Sequence, residues 1–249
     1  MTPPSPLLKL LRQSVEWSRD AFIMAGLCMV CAYPFYHYQA HHLMPGIDEH
    51  LANPHFAKSF MLFHMLMTFG AALICSMVGF FYGGRLRLIG FGDIRDLKEK
   101  ILPFLGLGLL LIPFSYLLGD ELILARLPEY YPGELFTSLG QPLIVLSQEV
   151  IARFGMVTVL VYFWRLFGLS GHPWPATIIV AAFTGFLAWL SLLNLGLIQG
   201  FDILALRIVI SAFLANLLFG EIYIRQGLIP AIIAHLGLEG KYLIYSFLV

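Results

Sequence analysis

The chain has 249 residues, of which 59% are hydrophobic and only 12% are charged. A soluble domain has about 25% charged residues, so this sequence cannot cover an apolar core with a polar surface, and its surroundings must be largely lipid. Basic and acidic residues are balanced at 15 each, so no net charge favours binding to nucleic acid.

The first residues predict a helix at the membrane surface. Between residues 1 and 20, leucines alternate with charged side chains at helical spacing. An amphipathic helix of this kind lies in the interface rather than crossing the bilayer. We therefore expect residues 1–20 to form an interfacial segment ahead of the transmembrane part.

Seven later stretches are long and apolar enough to cross a bilayer, which takes about 20 residues of helix. The predicted fold class is all-α, a polytopic transmembrane helix bundle of about seven spans plus the N-terminal interfacial helix. Residues 21–139 would form the N-terminal helices and loops, and residues 140–249 the C-terminal core. The predicted spans are residues 21–38, 59–82, 101–119, 141–163, 175–193, 203–224 and 229–248.

Basic residues predict the orientation of these helices, because cytoplasmic connections carry an excess of lysine and arginine. Here the excess falls before the first span and after the second, fourth and sixth spans. The N-terminus is therefore expected inside and, for an odd number of spans, the C-terminus outside. The basic residues concerned are Lys9, Arg12, Arg19, Arg85, Arg87, Arg95, Lys98, Lys100, Arg165 and Arg225.

The connection after the first predicted span is rich in histidine. Imidazoles and carboxylates at close spacing can bind zinc or copper. Their spacing here fits no fixed ligand pattern, and an interfacial loop needs polar residues in any case, so a metal site and a solvated loop both stay open. The residues are His37, His41, His42, His50 and His55, beside Asp48 and Glu49.

Ionisable side chains also occur at membrane depth, where they are costly and indicate functional sites. Glu149 and Arg153 in the fourth span are four positions apart, as are His235 and Glu239 in the seventh. Each pair therefore shares one face of its helix. We predict that the two helices bring these four side chains into one pocket sheltered from lipid.

Residue types alone leave two interpretations of that pocket. Glutamate and histidine in a low-dielectric cavity can supply a general base and an electrophilic partner or metal ligand. Alternatively, the polar groups form an interhelical clamp, in which Glu149 pairs with Arg153 and Glu239 pairs with Lys241.

The order and spacing of the polar residues resemble three motifs of the CPBP group (CAAX proteases and bacteriocin-processing proteins, also called the Abi family). Gln148-Glu149-x-x-x-Arg153, followed by Phe154 and Gly155, is similar to the first motif. Phe183 lies where the second motif begins, and His235-x-x-x-Glu239 resembles the third. The likeness covers about residues 140–245.

This resemblance implies an intramembrane endopeptidase of the bacterial inner (plasma) membrane. Glu149, His235 and Glu239 would then be the catalytic residues, and Gln148, Arg153 and Phe183 would support them. The resemblance leaves open whether a divalent metal ion takes part, and no other cofactor is expected.

Three departures from the family pattern alter the expected function. Gln148 and Leu187 stand where the family has the glutamate and histidine that are held to activate water. A glutamine amide cannot accept a proton at neutral pH, and leucine cannot hydrogen-bond. Glu239 stands at the Asn/Asp position, where a carboxylate would repel an oxyanion.

We therefore expect a catalytically degenerate relative that acts as a partner-binding, assembly or accessory subunit of a membrane complex. The alternative is an active endopeptidase that uses Glu149 or Glu239 as the base and His235 as the electrophilic partner. In either case the expected partners are the lipid bilayer and another membrane protein, and no nucleic acid.

Overall fold

The computed structural model describes residues 6–47, 53–83, 86, 88–92, 97–126, 135–169, 172–194, 196, 198, 200 and 202–245. In these ranges the regular structure is helical throughout. Twelve α-helices lie in this part of the chain: α1 Pro6–Tyr38, α2 Met44–Ile47, α3 Pro54–Tyr82, α4 Leu97–Leu110, α5 Ile112–Ser115, α6 Glu121–Arg126, α7 Leu135–Glu149, α8 Thr158–Leu166, α9 Trp174–Asn194, α10 Ile203–Gln226, α11 Leu228–Glu239 and α12 Lys241–Tyr245.

Three π-helical segments join consecutive α-helices into longer rods. Gln39–Leu43 connects α1 to α2, Tyr116–Asp120 connects α5 to α6, and Val150–Val157 connects α7 to α8. Short π-helical segments occur frequently at functional sites, and the last two of these carry buried charged residues.

Six helical stretches of the described chain are long and apolar enough to cross a membrane, which confirms the predicted all-α polytopic bundle. They coincide with the first six predicted spans. Their bounds are Gln13–Leu43, Pro54–Tyr82, Lys98–Arg126, Ser138–Leu166, Trp174–Asn194 and Ile203–Gln226.

The seventh predicted span corresponds to two shorter helices. α11 has 12 residues and α12 has 5, with Gly240 between them, so together they are about 27 Å long at 1.5 Å per residue. Residues 246–249 lie outside the described part of the chain. A seventh crossing therefore stays a prediction.

The chain around the first span is more helical than expected. Residues 6–20 belong to the same helix as the first span, because no glycine or proline separates the charged residues from the apolar run. His37, His41 and His42 lie on α1 and the π-helical segment after it, and His55 lies in the first turn of α3. Asp48, Glu49 and His50 lie outside the described residues.

The helix that carries Glu149 lies inside the bundle. In an 18-residue apolar window of the stretch Ser138–Leu166, 67% of the residues are buried within the protein, against 17–33% in the corresponding windows of the other five spans. α7 packs against α1 and α11, and the π-helical segment Val150–Val157 packs against α3 and α9. Buried side chains of this rod, including Val150, Phe154, Val157 and Val161, form the main apolar core.

Glycines allow α4 and α11 to approach closely. A Cβ atom added to Gly108 would lie 2.8 Å from the Cα of Gly237 and would collide with the carbonyl oxygen of Ala234. Small residues at such contacts let transmembrane helices pack backbone against backbone. This contact fixes α11 beside α4 and so places His235.

Candidate polar site at membrane depth

The end of α7 and the middle of α11 meet through a carboxylate and an imidazole. Glu149 is the last residue of α7, and its Oε1 lies 2.8 Å from Nδ1 of His235 on α11. Arg153 Nε lies 3.5 Å from Glu149 Oε2, and His235 Nε2 lies 3.6 Å from Glu239 Oε1. The predicted meeting of these four side chains is therefore confirmed, whereas their roles stay predictions.

Arg153 extends the site to a third helix. Its Nη2 donates hydrogen bonds to the carbonyl oxygen of Asn216 (3.1 Å) and to Asn216 Oδ1 (2.6 Å) on α10. Asn216 Nδ2 in turn donates to the carbonyl oxygen of Ala212 at 2.8 Å. The sequence places Asn216 in the sixth predicted span, among the polar groups at membrane depth that are expected to meet, but it predicted no role for this residue. A guanidinium has five N–H donors, so a buried arginine needs a second acceptor besides one glutamate, and that requirement was the available signal.

The exposure of the polar side chains increases from Glu149 and Arg153 through His235 to Glu239. The side chains of Glu149 and Arg153 are each 1% exposed, His235 is 10% exposed and Glu239 is 18% exposed. The imidazole also stacks on Phe219, with ring centroids 4.4 Å apart and an angle of 19° between the planes. We refer to Glu149, Arg153, Asn216, His235 and Glu239 as the central polar site.

The bond between Glu149 and Arg153 is an ion pair without a good hydrogen bond. Glu149 Oε2 and Arg153 Nε are both buried, and neither has a hydrogen-bond partner within the described residues. Their attraction is strong because little water screens it. The site is thus held by charge as well as by the shorter contacts to His235 and Asn216.

Three positions of the family motifs lie outside the central polar site. Gln148 is exposed, because a residue next to Glu149 on a helix is rotated by about 100° from it. On α9, Phe183 and Leu187 are each 43% exposed. The predicted support from Gln148 and Phe183 therefore has no counterpart in the contacts of the site.

A second polar cluster, formed by Ser115, Asp120 and Lys241, was not predicted. Lys241 Nζ lies 3.0 Å from Asp120 Oδ2, and it donates to Ser115 Oγ at 2.9 Å. Ser115 Oγ donates to Asp120 Oδ2 at 2.6 Å. The predicted pairing of Lys241 with Glu239 is wrong, because Lys241 begins α12, beyond the break at Gly240, and contacts the π-helical segment Tyr116–Asp120.

No group of three or more histidine, cysteine, aspartate or glutamate side chains in the described ranges is arranged to hold a metal ion. The rings of His37 and His41 lie 4.5 Å apart, but three of the other predicted ligands fall in residues 48–52, which are not described. The metal site in this region stays a prediction.

Comparisons with protein-family models, with curated proteins and with solved structures give no match. The resemblance to the CPBP group consequently rests on the motif residues alone.

Proposed function

We propose that this integral membrane protein is a degenerate relative of the CPBP intramembrane proteases and acts as a partner-binding, assembly or accessory subunit of a membrane complex. One observation carries the proposal. The carboxylate of Glu149 is 1% exposed and is occupied on one oxygen by His235 and on the other by Arg153. The two positions that would activate water in the family hold Gln148 and Leu187, which are both exposed.

This arrangement opposes hydrolysis for a physical reason. A general base must lie within hydrogen-bond reach of the water that it deprotonates. Glu149 has its short contact with His235 instead, and its second oxygen faces a guanidinium. The central polar site is better suited to joining α7, α10 and α11 than to binding a nucleophilic water.

Gln148 supports a role in binding another membrane protein. It is exposed near the middle of the stretch Ser138–Leu166 and makes no hydrogen bond to any residue that the structure describes. An amide facing hydrocarbon without a partner is costly. Glutamine side chains form hydrogen bonds between transmembrane helices, so a polar side chain on a neighbouring subunit would satisfy this amide.

The test is co-purification from the native membrane in a mild detergent. We expect the parent protein to retain a partner in fixed ratio and Gln148→Leu to lose it. Leu143→Ala, at an exposed position of α7 about 140° around the helix from Gln148, should retain it. A parent protein that always runs alone, or a partner that Gln148→Leu retains in full, would overturn the proposed role.

An active endopeptidase is the second candidate, and one observation favours it. Glu239 is the most exposed carboxylate of the central polar site, and it faces His235 Nε2 at 3.6 Å. Glu239 could act as the base while His235 polarises the scissile carbonyl. Proteome-wide mapping of new N-termini in membranes would compare the parent with Glu239→Gln and His235→Ala. Loss of a common set of cleavage products in both folded variants would replace the first proposal by the second.

The basic residues further support a cytoplasmic N-terminus and an outer C-terminus, and the resemblance to the CPBP group supports a location in a bacterial inner membrane. A reporter enzyme that is active only outside the cytoplasm, fused after Val249, tests this orientation. We expect activity from that fusion and none from a fusion at Phe167, after α8. Activity from neither fusion would show that α11 and α12 do not complete a seventh crossing, and activity from the Phe167 fusion alone would show the opposite orientation.

A further inference from the structure

Two voids lie side by side along one face of α3. The outer void, about 310 Å³, lies between the start of α1 and the end of α3 and is lined by Ser14, Trp17 and Phe81 among others. The inner void, about 280 Å³, is lined by Cys75, Gly155 and Phe183 among others and lies between α3, α9 and the rod of the π-helical segment Val150–Val157 with α8. Val78 lines both voids, so they adjoin at this side chain; the two voids together are here called the α3 groove.

The α3 groove runs from the membrane boundary towards the bilayer interior. Trp17 lies near the start of the first span, and Tyr82 is the last residue of the second. Tryptophan and tyrosine are enriched at this level of membrane proteins. Cys75 is seven residues before Tyr82, which is about 10 Å deeper along the helix.

The two ends of the groove differ in chemistry. Ser14, Ser18 and the indole of Trp17 line the boundary end, and the indole ring meets Phe81 edge-on at 5.3 Å. Ser18 Oγ donates to the carbonyl oxygen of Ser14 at 2.9 Å, and the same hydroxyl oxygen of Ser18 can accept a hydrogen bond from a headgroup. The deep end has an apolar lining that includes Ile74, Val159 and Ile179. The deep end is narrow where Gly155 faces α3, because a Cβ atom added to Gly155 would collide with the side chain of Cys75.

We propose that the α3 groove binds one membrane phospholipid, with its headgroup at the boundary beside Ser14, Ser18 and Trp17 and an acyl chain along the deep end. Both voids are partly open to the outside of the bundle. Side chains beside unfilled space forfeit dispersion contacts, and a flexible acyl chain in an irregular slot restores them. A partner helix, about 10–12 Å in diameter, is too wide for a void of this volume. The lipid therefore belongs to this site and differs from the lipids that surround the other helices.

A substitution at the point where the two voids join tests this proposal. Delipidated protein in detergent is mixed with palmitoyl-oleoyl phosphatidylethanolamine and examined by native mass spectrometry. We expect the parent to keep one lipid, and Val78→Phe, which fills the junction, to weaken binding about 5- to 150-fold, as overpacking by about 1–3 kcal/mol would do. Leu66→Phe, on the exposed surface of the same helix, should bind like the parent. Equal binding by both variants would overturn the proposal.

Fluorescence of Trp17 provides a measurement that needs no change in the groove. In a variant with Trp164, Trp174 and Trp189 replaced by Phe, a phospholipid with brominated acyl chains should quench Trp17 and saturate at one lipid per protein. Quenching that grows with lipid and does not saturate would indicate surrounding lipid only and would also overturn the proposal.

Discussion

Glu149 and Arg153 are four residues apart on one rod, and so are Glu221 and Arg225 on α10, but the two ion pairs differ in their surroundings. Both side chains of the first pair are 1% exposed, whereas the side chain of Arg225 in the second pair is 71% exposed. Exposed pairs contribute little because water and salt screen them. A buried pair cannot lose one member without leaving the other charge uncompensated.

The two pairs therefore provide a matched test at the residue scale. Glu149→Gln should lower the free energy of unfolding by about 3–5 kcal/mol, because Arg153 is left buried without its counter-charge. Glu221→Gln should lower it by about 0–1 kcal/mol. Unfolding by a denaturing detergent, followed by tryptophan fluorescence, measures both. Equal effects of the two changes would show that the central polar site contributes no more than a surface pair.

The second polar cluster predicts coupling between two residues that are far apart in sequence. Asp120→Asn and Lys241→Met should each cost about 3–5 kcal/mol, because each leaves a buried charge alone. The double variant should be more stable than the sum of the two losses implies, with a coupling free energy of about 0.5–3 kcal/mol. Losses that simply add would contradict the ion pair. The same unfolding assay is applied to the parent, the two single variants and the double variant, which together form the double-mutant cycle.

At the scale of helices, the contact between α4 and α11 depends on which glycines face it. Gly108 meets the backbone of α11, while a Cβ atom at Gly106 would have nothing within 4 Å. Backbone atoms at the contact cannot move aside as a flexible side chain would. The two glycines lie on one helix, two residues apart, so they form a matched pair of positions.

Gly108→Ala should therefore lower the free energy of unfolding by about 1–3 kcal/mol through overpacking against α11. Gly106→Ala should leave it unchanged or raise it by about 0.5–1 kcal/mol, since glycine is a poor residue for the interior of a helix. Thermal unfolding of the two variants gives the comparison. A loss at Gly106 as large as that at Gly108 would contradict the close approach of the two helices.

Local sequence patterns were sufficient for the helices and for pairs within one helix. Apolar runs predicted seven membrane-spanning stretches, of which six coincide with long apolar helices of the described chain, and a spacing of four predicted the contacts Glu149–Arg153 and His235–Glu239. The contact of Asp120 with Lys241 could not be predicted, because it depends on how a π-helical segment and the break at Gly240 orient two distant elements. The role of Asn216 could not be predicted for a similar reason: it follows from the reach of Arg153 across the bundle.

For the molecule as a whole, the rod formed by α7, the segment Val150–Val157 and α8 is the element around which the other helices pack. Its amides should exchange with deuterium more slowly than those of α4, because opening the rod breaks contacts with α1, α3, α9 and α11 together. Exchange of the protein in lipid nanodiscs, read by mass spectrometry, gives the comparison. Faster exchange in α7 than in α4 would contradict the burial of the rod.

The 86 residues that separate Glu149 from His235 matter for biosynthesis. A ribosome releases α7 into the membrane long before α11 has been translated, so a nascent chain carries Glu149 at membrane depth with Arg153 as its counter-ion and no imidazole. Asp120 is without its counter-ion for longer still, because Lys241 lies on the last described helix. An mRNA truncated ahead of Leu228 would thus yield a polypeptide in which Glu149 lacks its imidazole partner and Asp120 lacks its counter-ion in lipid, a feature by which membrane quality-control proteases could recognise it.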